Sequence, residues 1–243
     1  MLRFSFPRAG LLAVVLLLPF GVPARAQRPA ASNNAAPSAA DILLTVREAQ
    51  GTRHDSLNGQ LRDDIADLTF PFRLVADGPQ VRYEFKGPPP TAVQVRYNED
   101  GSELVESGPD GSGKLTPANF DKHILGTDLT YEDLALRFLY WTNATIEGED
   151  TVATRPAWKL RLNAPNHRTQ YSSVLIWVDK ESRGLTRVDG FDWNGKLLKR
   201  FKVLGVKQFG GKTYLGKMGI EGFSPDDGRA RSRTYLKLTD LAK

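Results

Sequence analysis

The histidines of this sequence and one run of triad-type side chains are its first candidates for catalysis or metal binding. His54, His123 and His167 lie far apart, without the converging ligands that a metal site needs. His54, Asp55 and Ser56 have the side chains of a catalytic triad. Because neighbouring residues on a strand point to opposite faces, these three cannot align as base, orienting group and nucleophile. The sequence therefore predicts neither a metal site nor a triad here.

An acidic cluster of Asp63, Asp64 and Asp67 is the remaining candidate for cation binding. It lacks the central Gly and distal Glu of a calcium loop, so we interpret it as a solvated turn. The chain has no cysteine, which excludes a disulfide framework, a thiol nucleophile, a thiolate zinc site and an iron–sulfur cluster. We therefore expect no cofactor and no enzymatic activity.

Three arginines follow an Asp-Asp-Gly turn near the end of the chain. Arg229, Arg231 and Arg233 alternate with other residues, which places all three on one face of a strand. Two interpretations remain open for this face. It is either an ordinary solvated surface or a docking patch for acidic lipid headgroups or a membrane partner.

Residues 1–26 have the pattern of a secretory signal peptide. Arg3 and Arg8 form a basic start, residues 11–20 are an apolar run, and residues 24–26 form an A-x-A cleavage site. The apolar run is too short to span a bilayer, which takes about 20 residues. An uncleaved N-terminal anchor is the alternative. We expect cleavage after Ala26.

Composition and charge characterise the chain that remains after cleavage of residues 1–26. Cleavage removes three of the 33 Lys and Arg residues, leaving 30 against 28 acidic residues and a net charge of +2. Such a balance does not favour a nucleic-acid partner. Residues 27–40 are mostly Ala, Pro, Ser and Asn and predict a flexible tether. Residues 41–243 are long enough for a single domain with a sizeable core.

Most of that domain alternates apolar and polar residues with a period of two, which is typical of strands with one buried face. Turn dipeptides such as Asp77-Gly78 and Asn194-Gly195 separate the runs. We expect a mainly β fold: ten or eleven antiparallel strands in a meander that curls to hide its inner face. The predicted apolar cavity on that face is lined by Leu68, Phe70, Phe72, Val81, Tyr83, Phe85, Val93, Val95, Trp158, Leu160, Leu162 and Trp177.

Two helices interrupt the strands. Ser38 and Asp41 form an S-x-x-D helix start, and Thr130 and Asp133 repeat it as T-x-x-D. The second helix is expected over about 131–140. Its bulky apolar face, a candidate lid, consists of Tyr131, Leu134, Phe138 and Leu139. The curled sheet is expected either to be filled by these helices or to stay partly open for an apolar ligand.

Four segments in order carry a family resemblance. Residues 126–134 read G-x-D-x-x-Y-E-D-L, residues 176–180 read I-W-V-D-K, residues 192–196 read D-W-N-G-K, and residues 233–240 read R-T-Y-L-K-L-T-D. Together they resemble the outer-membrane lipoprotein-sorting superfamily, in its uncharacterised LolA-like branch. The resemblance covers roughly residues 40–241.

The resemblance implies a half-open barrel of about eleven antiparallel strands with a helical lid, located in the periplasm. It implies a carrier of lipoprotein acyl chains or other lipids, loaded by an inner-membrane exporter and unloaded at an outer-membrane receptor. A periplasmic interaction module, which docks to an envelope transporter without carrying lipid, is the alternative. We expect a monomer in either case.

One departure from the family concerns the lid. In LolA carriers an Arg-Pro pair begins the third strand, and its Arg ties down the lid. The matching residues here are Gly78 and Pro79, and Gly78 has no side chain to donate. By alternation Arg73 and Arg82 would face water, so neither replaces the latch. We therefore expect an unlatched lid that only apolar contacts hold.

Overall fold

The computed structural model describes residues 36–242. The expected signal peptide and the expected tether up to residue 35 lie outside the described residues. Helix α1 (Ala39–Gly51) begins two residues before the domain boundary predicted at 41. Its start is the predicted capping box, in which the Ser38 hydroxyl oxygen accepts a hydrogen bond from the backbone N–H of Asp41.

The described strands form one antiparallel sheet of 13 strands, so the prediction of about eleven was too low. They are β1 (His54–Asp63), β2 (Leu68–Asp77), β3 (Gln80–Phe85), β4 (Thr91–Asn98), β5 (Gly101–Gly108), β6 (Gly111–Lys114), β7 (Asn143–Val152), β8 (Arg155–Asn163), β9 (Ser173–Asp179), β10 (Leu185–Phe191), β11 (Leu197–Phe209), β12 (Lys212–Phe223) and β13 (Ala230–Leu241). The short edge strand β6 is fully exposed and has no apolar alternation to reveal it.

The strand order follows from two meanders that meet in the middle of the sheet. β1 to β6 run outward from the centre to one edge, and β7 to β13 run from the other edge back to the centre. β13 then pairs antiparallel with β1. The two edge strands β6 and β7 are therefore neighbours in the chain but lie at opposite ends of the strand order.

The sheet is strongly curled, because the consecutive residues Asp133 and Leu134 contact strands that are far apart in the strand order. Tyr97 on β4 donates to the carbonyl oxygen of Leu134, and Lys199 on β11 donates to the side chain of Asp133. In a flat sheet β4 and β11 would be separated by six inter-strand spacings, roughly 29 Å. Two adjacent residues can contact both strands only because the sheet folds round them. The predicted barrel-like curvature is therefore present, in a sheet that remains open at β6 and β7.

The segment between the two edge strands, residues 115–142, is called the lid segment below. The helix predicted over 131–140 is in fact broken: α2 covers only Tyr131–Ala135, and a 3₁₀ turn covers Arg137–Tyr140. Leu136 between them is left-handed, with φ 47° and ψ 39°. The apolar spacing at i and i+3 suits both helix types, so the sequence pattern did not reveal the break.

The core is one cluster that joins the inner face of the sheet to α1 and the lid segment. A smaller cluster of Val152, Ala157, Leu175 and Trp177 lies apart from it. No helix within residues 36–242 is long and apolar enough to cross a membrane.

Candidate functional site

The candidate site is the inner face of the curled sheet together with the lid segment that covers it. Most residues of the predicted cavity lie on this face. Phe70 and Trp158 are partly buried against the core cluster. The predicted cavity residues that are buried in this cluster are Phe72, Val81, Tyr83, Phe85, Val93, Val95, Leu160 and Leu162. The predicted lid residues Tyr131, Leu134, Phe138 and Leu139 are buried in the same cluster.

Two of the predicted cavity residues are elsewhere. Leu68 is 52% exposed, because it begins β2 beyond the part of the strand that the core covers. Trp177 lies in the second cluster, while its neighbours Ile176 and Val178 point into the main core. Residues 174–178 are a continuous apolar run, so alternation could not indicate which of them face inward.

The inner face is filled in this structure. Between the lid segment and strands β10 to β12 there remains a gap of only about 10 Å³. Leu136 and Phe138 of the lid segment and Phe201 and Met218 of the sheet border it. A space of this size holds at most one water molecule. A group larger than a water molecule can therefore enter this part of the inner face only if the lid segment moves.

The first polar anchor of the lid segment is Asp133 in α2. Its side chain caps the helix start at Thr130, as the sequence predicts. Lys199 Nζ on β11 donates to Asp133 Oδ2 at 2.7 Å, and the Tyr171 hydroxyl donates to Oδ1 at 2.6 Å. Burial, followed by the nearby Asp133 carboxylate, raises the pKa of Tyr171 well above its ordinary value. Tyr171 therefore remains a neutral donor to this carboxylate.

A second anchor joins the lid segment to β13. The backbone N–H of Asp128 donates to Thr234 Oγ1 at 3.0 Å, and this hydroxyl donates to Asp128 Oδ2 at 3.0 Å. Ser232 Oγ donates to the other carboxylate oxygen of Asp128. Gly222 on the adjacent strand makes room, since a Cβ there would lie 2.7 Å from Asp128 Oδ1. The anchor therefore depends on a glycine in the sheet as well as on its hydrogen bonds.

Strands β4 and β5, which lie in the half of the sheet formed by β1 to β6, contribute two further contacts. The hydroxyl of Tyr97 donates to the carbonyl oxygen of Leu134 at 3.3 Å, and the hydroxyl of Tyr131 donates to Glu106 on β5. Burial and then the Glu106 carboxylate raise the pKa of Tyr131 above its ordinary value. The lid segment is thus held at both arms of the sheet.

The prediction of a lid held only by apolar contacts was therefore wrong. Gly78 lies in the turn between β2 and β3 and takes no part, as expected. Arg82 faces away from the core and pairs with Glu84 at 2.9 Å, so it does not replace the latch. Asp128 and Asp133, which belong to the G-x-D-x-x-Y-E-D-L segment, hold the lid instead.

Glu132 is the third acid of that segment, and it is 1% exposed. Its Oε2 accepts a hydrogen bond from the backbone N–H of Gln170 at 3.0 Å, whereas Oε1 has no hydrogen-bond partner among the described residues. Burial raises the pKa of Glu132, and hydrogen bonds from Thr169 and Gln170 only partly oppose it. Glu132 is thus a buried acid with a raised pKa, next in the chain to the anchoring residue Asp133.

The sequence also gave no indication that Arg53 is buried. Arg53 is 2% exposed at the start of β1, beside Tyr83, Tyr97 and Tyr214. Desolvation lowers the pKa of its guanidinium to about 10, although nearby Tyr83 and Asp55 oppose the shift. A cation is therefore built into the inner face close to the tyrosine that binds the lid.

The residues proposed to dock a membrane partner carry partly neutralised charge. Arg233 binds Glu221 at 2.6 Å, and Arg231 lies 4.0 Å from both Asp226 and Asp227. Arg229 is exposed. A docking role for these three arginines stays a prediction.

The histidines and acidic residues considered for catalysis or metal binding lie at separate places in the structure. His54 binds Asp77 at 2.8 Å on the surface, and His167 stacks on Trp193. The oxygen of Asp63 accepts two backbone N–H groups of its own turn. Within residues 36–242 no group of three or more His, Asp or Glu residues could hold a metal ion.

A curled antiparallel sheet that stays open at β6 and β7, with an anchored segment that covers its inner face, defines a half-barrel with a lid. A family model described as "Uncharacterized protein" matches residues 112–242, more than half of the chain. The chain belongs to this family, and its fold is LolA-like. A search of curated proteins found no match.

Three solved structures share the fold. A DUF1329 family protein from Desulfovibrio piger is 19% identical, with a TM-score of 0.66 over 84% of this chain and 90% of that one. A putative outer membrane lipoprotein-sorting protein domain from Vibrio parahaemolyticus is 17% identical, with a TM-score of 0.66 over 82% and 90%. A LolA superfamily protein from Nitrosomonas europaea is 16% identical, with a TM-score of 0.63 over 85% and 93%. At these identities the likeness concerns the fold and not the ligand.

Proposed function

We propose that this protein is a periplasmic carrier that binds an acyl chain of a lipoprotein or another lipid on the inner face of its sheet. The observation that carries the proposal is how the lid segment is attached. Residues 115–142 cover a continuous apolar face, yet beyond the backbone hydrogen bond from Leu115 to Leu104 on β5 they are held there by side-chain anchors rather than by pairing into the sheet. A cover of this kind can leave without disrupting any strand.

Exchange of the lid for a lipid chain replaces one apolar cover of the inner face with another. Removing the lid exposes apolar surface on the sheet and on the lid itself at a cost of about 25 cal/mol per Å², and an acyl chain recovers the part that lies on the sheet. Leu125 and Leu136 in the lid segment are left-handed, with φ 52° and 47°. Each such residue costs about 1–2 kcal/mol, which opening would release. The anchors at Asp128 and Asp133 then set the remaining barrier.

Carriage in the envelope needs a donor and an acceptor. We propose an inner-membrane exporter and an outer-membrane receptor in these roles, with the Arg229, Arg231 and Arg233 face as the docking surface. The sheet and the lid segment that covers it belong to the same chain, so one copy supplies the whole binding face. We therefore propose a carrier that acts as a monomer.

The test is uptake of a fluorescent fatty acid such as parinaric acid, together with mass spectrometry of an organic extract of the purified protein. Thr234→Val keeps the shape of the side chain but removes both hydrogen bonds to Asp128. It should speed uptake several-fold. Thr186→Val is the matched control, since Thr186 is an equally buried sheet threonine that donates to Trp177 and not to the lid.

The second candidate function is an interaction module that never carries lipid. The filled inner face favours it, because only about 10 Å³ is left between lid and sheet. Absence of lipid from the extract, combined with no uptake by either the wild-type protein or Thr234→Val, would support this module and reject the carrier.

A further inference from the structure

A basic patch lies on the outer face of the sheet, on the side away from the lid segment. Its residues come from the neighbouring strands β10 to β13 and face outward, because they alternate with buried residues such as Phe201, Ile220 and Leu236. Two acidic residues, Asp189 and Glu221, belong to the same paired rows of the described strands. The basic residues of these rows are Arg187, Arg200, Lys202, Lys217, Arg233 and Lys237.

The arginines and the lysines of this patch differ in their partners. Each arginine binds one of the two acidic residues, Asp189 or Glu221. Lys202, Lys217 and Lys237 are exposed, and none of them has an ion pair within the described part of the chain. The positive charge of the patch that is not neutralised is therefore carried by its lysines.

Two of these lysines repel each other. Lys217 on β12 and Lys237 on β13 are directly opposite in the strand register, a position in which like charges destabilise a sheet. Lys217 Nζ also lies 3.7 Å from the centre of the Tyr235 ring, which stabilises the ammonium group but does not remove the repulsion. A negatively charged group placed between the two ammonium groups would remove it.

The centre of the patch is apolar. Gly219 is opposite both Lys202 and Tyr235, and a Cβ there would lie 3.2 Å from Leu204 Cδ1 and 3.7 Å from Cε1 of Tyr235. Leu204 and Tyr235 thus close over the glycine, and Leu204 is 49% exposed. An apolar centre with a charged and polar rim is typical of a protein–protein interface.

The shape of the patch favours a protein over a bilayer as its partner. The patch is convex because it lies on the outer side of the curled sheet, and a flat membrane surface meets a convex face only along a strip. Interfacial membrane binding also needs a substantial apolar surface that enters the bilayer. Leu204 is the one exposed large apolar side chain of this patch among the described residues. We propose that the patch docks an acidic segment of a partner protein, with carboxylates between the lysines and an apolar side chain over Leu204.

This proposal does not depend on lipid carriage, because the patch and the inner face are on opposite sides of the sheet. It extends the docking face of Arg229, Arg231 and Arg233 along β13 and across to β11. Exposed contacts between lysine and carboxylate are individually weak and are screened by salt. They suit a partner from which the protein departs again.

Fluorescence anisotropy of a labelled decaglutamate peptide, measured on the full chain, tests the proposal, with a peptide of Gly and Ser as the uncharged probe. We expect decaglutamate to bind and the affinity to fall with added salt. Lys217→Gln combined with Lys237→Gln should weaken binding about threefold to tenfold, since two exposed charge contacts are lost. Glu221→Gln should tighten binding, because it removes an acidic group from the patch.

The matched control is Lys86→Gln combined with Lys122→Gln. Both lysines are exposed, lie outside the patch and have no ion pair within the described part of the chain. This double variant loses the same net charge and should bind decaglutamate as the wild-type protein does. Parinaric acid uptake by both double variants should be unchanged, which separates a failure of docking from a failure of lipid carriage.

The repulsion between the two lysines provides a second measurement. Lys237→Gln should raise the melting temperature by about 1–3 °C while it weakens binding of the peptide. Vesicles of phosphatidylglycerol and phosphatidylcholine test the bilayer as the alternative partner. The proposal is overturned if decaglutamate does not bind, if the Lys217 and Lys237 double variant binds it as the control does, if Lys237→Gln lowers the melting temperature, or if the vesicles bind and the peptide does not.

Discussion

Lys199 Nζ lies 2.7 Å from Asp133 Oδ2, and 5% and 1% of the two side chains are exposed. One residue belongs to the sheet and the other to the lid segment, so this ion pair joins the cover to the surface beneath it. A buried charge without its partner is costly, because neither water nor another group solvates it. Separating the lid from the sheet at this point therefore carries a large penalty.

Removing one member of the pair should destabilise the protein strongly. Lys199→Met leaves the Asp133 carboxylate with only Tyr171 and its own cap, and we expect a loss of about 3–5 kcal/mol in the free energy of unfolding. Lys199→Met combined with Asp133→Asn should recover much of that loss. Urea unfolding of the two single variants and the double variant measures the coupling.

The matched control for that cycle is the exposed pair of Lys114 and Glu103, which lie 2.6 Å apart. Glu103→Gln should leave the unfolding midpoint unchanged, since exposed pairs contribute little. A Lys199→Met variant as stable as the wild-type protein would contradict the anchor.

Gly190 in the sheet makes room for Tyr171, the other side chain that donates to Asp133. A Cβ on Gly190 would lie 2.6 Å from Cδ1 of Tyr171, so Gly190→Ala must displace that ring. Overpacking of this kind costs about 1–3 kcal/mol, and here it also strains the hydrogen bond to Asp133. Gly205→Ala is the control, because nothing lies within 4 Å of a Cβ there.

Thermal unfolding compares the two alanine variants. Gly190→Ala should lower the melting temperature, and Tyr171→Phe should lower it by a smaller amount because only the hydroxyl is lost. Equal melting temperatures for Gly190→Ala and Gly205→Ala would mean that Tyr171 is not confined against the sheet.

Glu132 should make stability fall as the pH rises. Burial raises its pKa in the folded protein above 4.5, so the folded state binds the proton more tightly than the unfolded state does. Stability from this group is complete below the unfolded pKa and is lost as the pH rises through the folded pKa. Glu132→Gln, which keeps an acceptor for Gln170 but cannot ionise, should remove this loss.

The measurement is the unfolding free energy of Glu132→Gln minus that of the wild-type protein, from about pH 4 to about pH 7. The difference should become more favourable to the variant as the pH rises. Other titrating groups are common to both proteins and cancel. A difference that is flat or falls with pH would show that Glu132 is not held with a raised pKa.

Much of the inner face followed from the sequence. The alternation of Val81, Tyr83 and Phe85 correctly indicated which side of β3 is buried, since one-sided burial imposes a period of two. The helix starts at Ser38 and Thr130 were also correct, because a capping box is local chemistry within four residues. Trp177 was misplaced because its strand is apolar on both faces.

The lid anchors could not be predicted in this way. Asp133 and Lys199 are 66 residues apart, and they meet only because the sheet curls. In the sequence Lys199 stands beside Arg200, with the ordinary pattern of a surface strand. The break in the second helix could not be predicted either, because it depends on packing against the sheet. Leu136 adopts a φ of 47° where the lid segment turns to bury Phe138.

If the protein carries lipid as proposed, the lid segment has to leave the inner face before an acyl chain binds there. Hydrogen exchange of the backbone amides, followed by mass spectrometry with and without saturating palmitate, detects this movement. We expect amides in residues 120–141 to exchange faster when palmitate is bound, while those of β3, β9 and β10 stay protected. Bound palmitate with unchanged or slower exchange in residues 120–141, or no binding of palmitate at all, would contradict it.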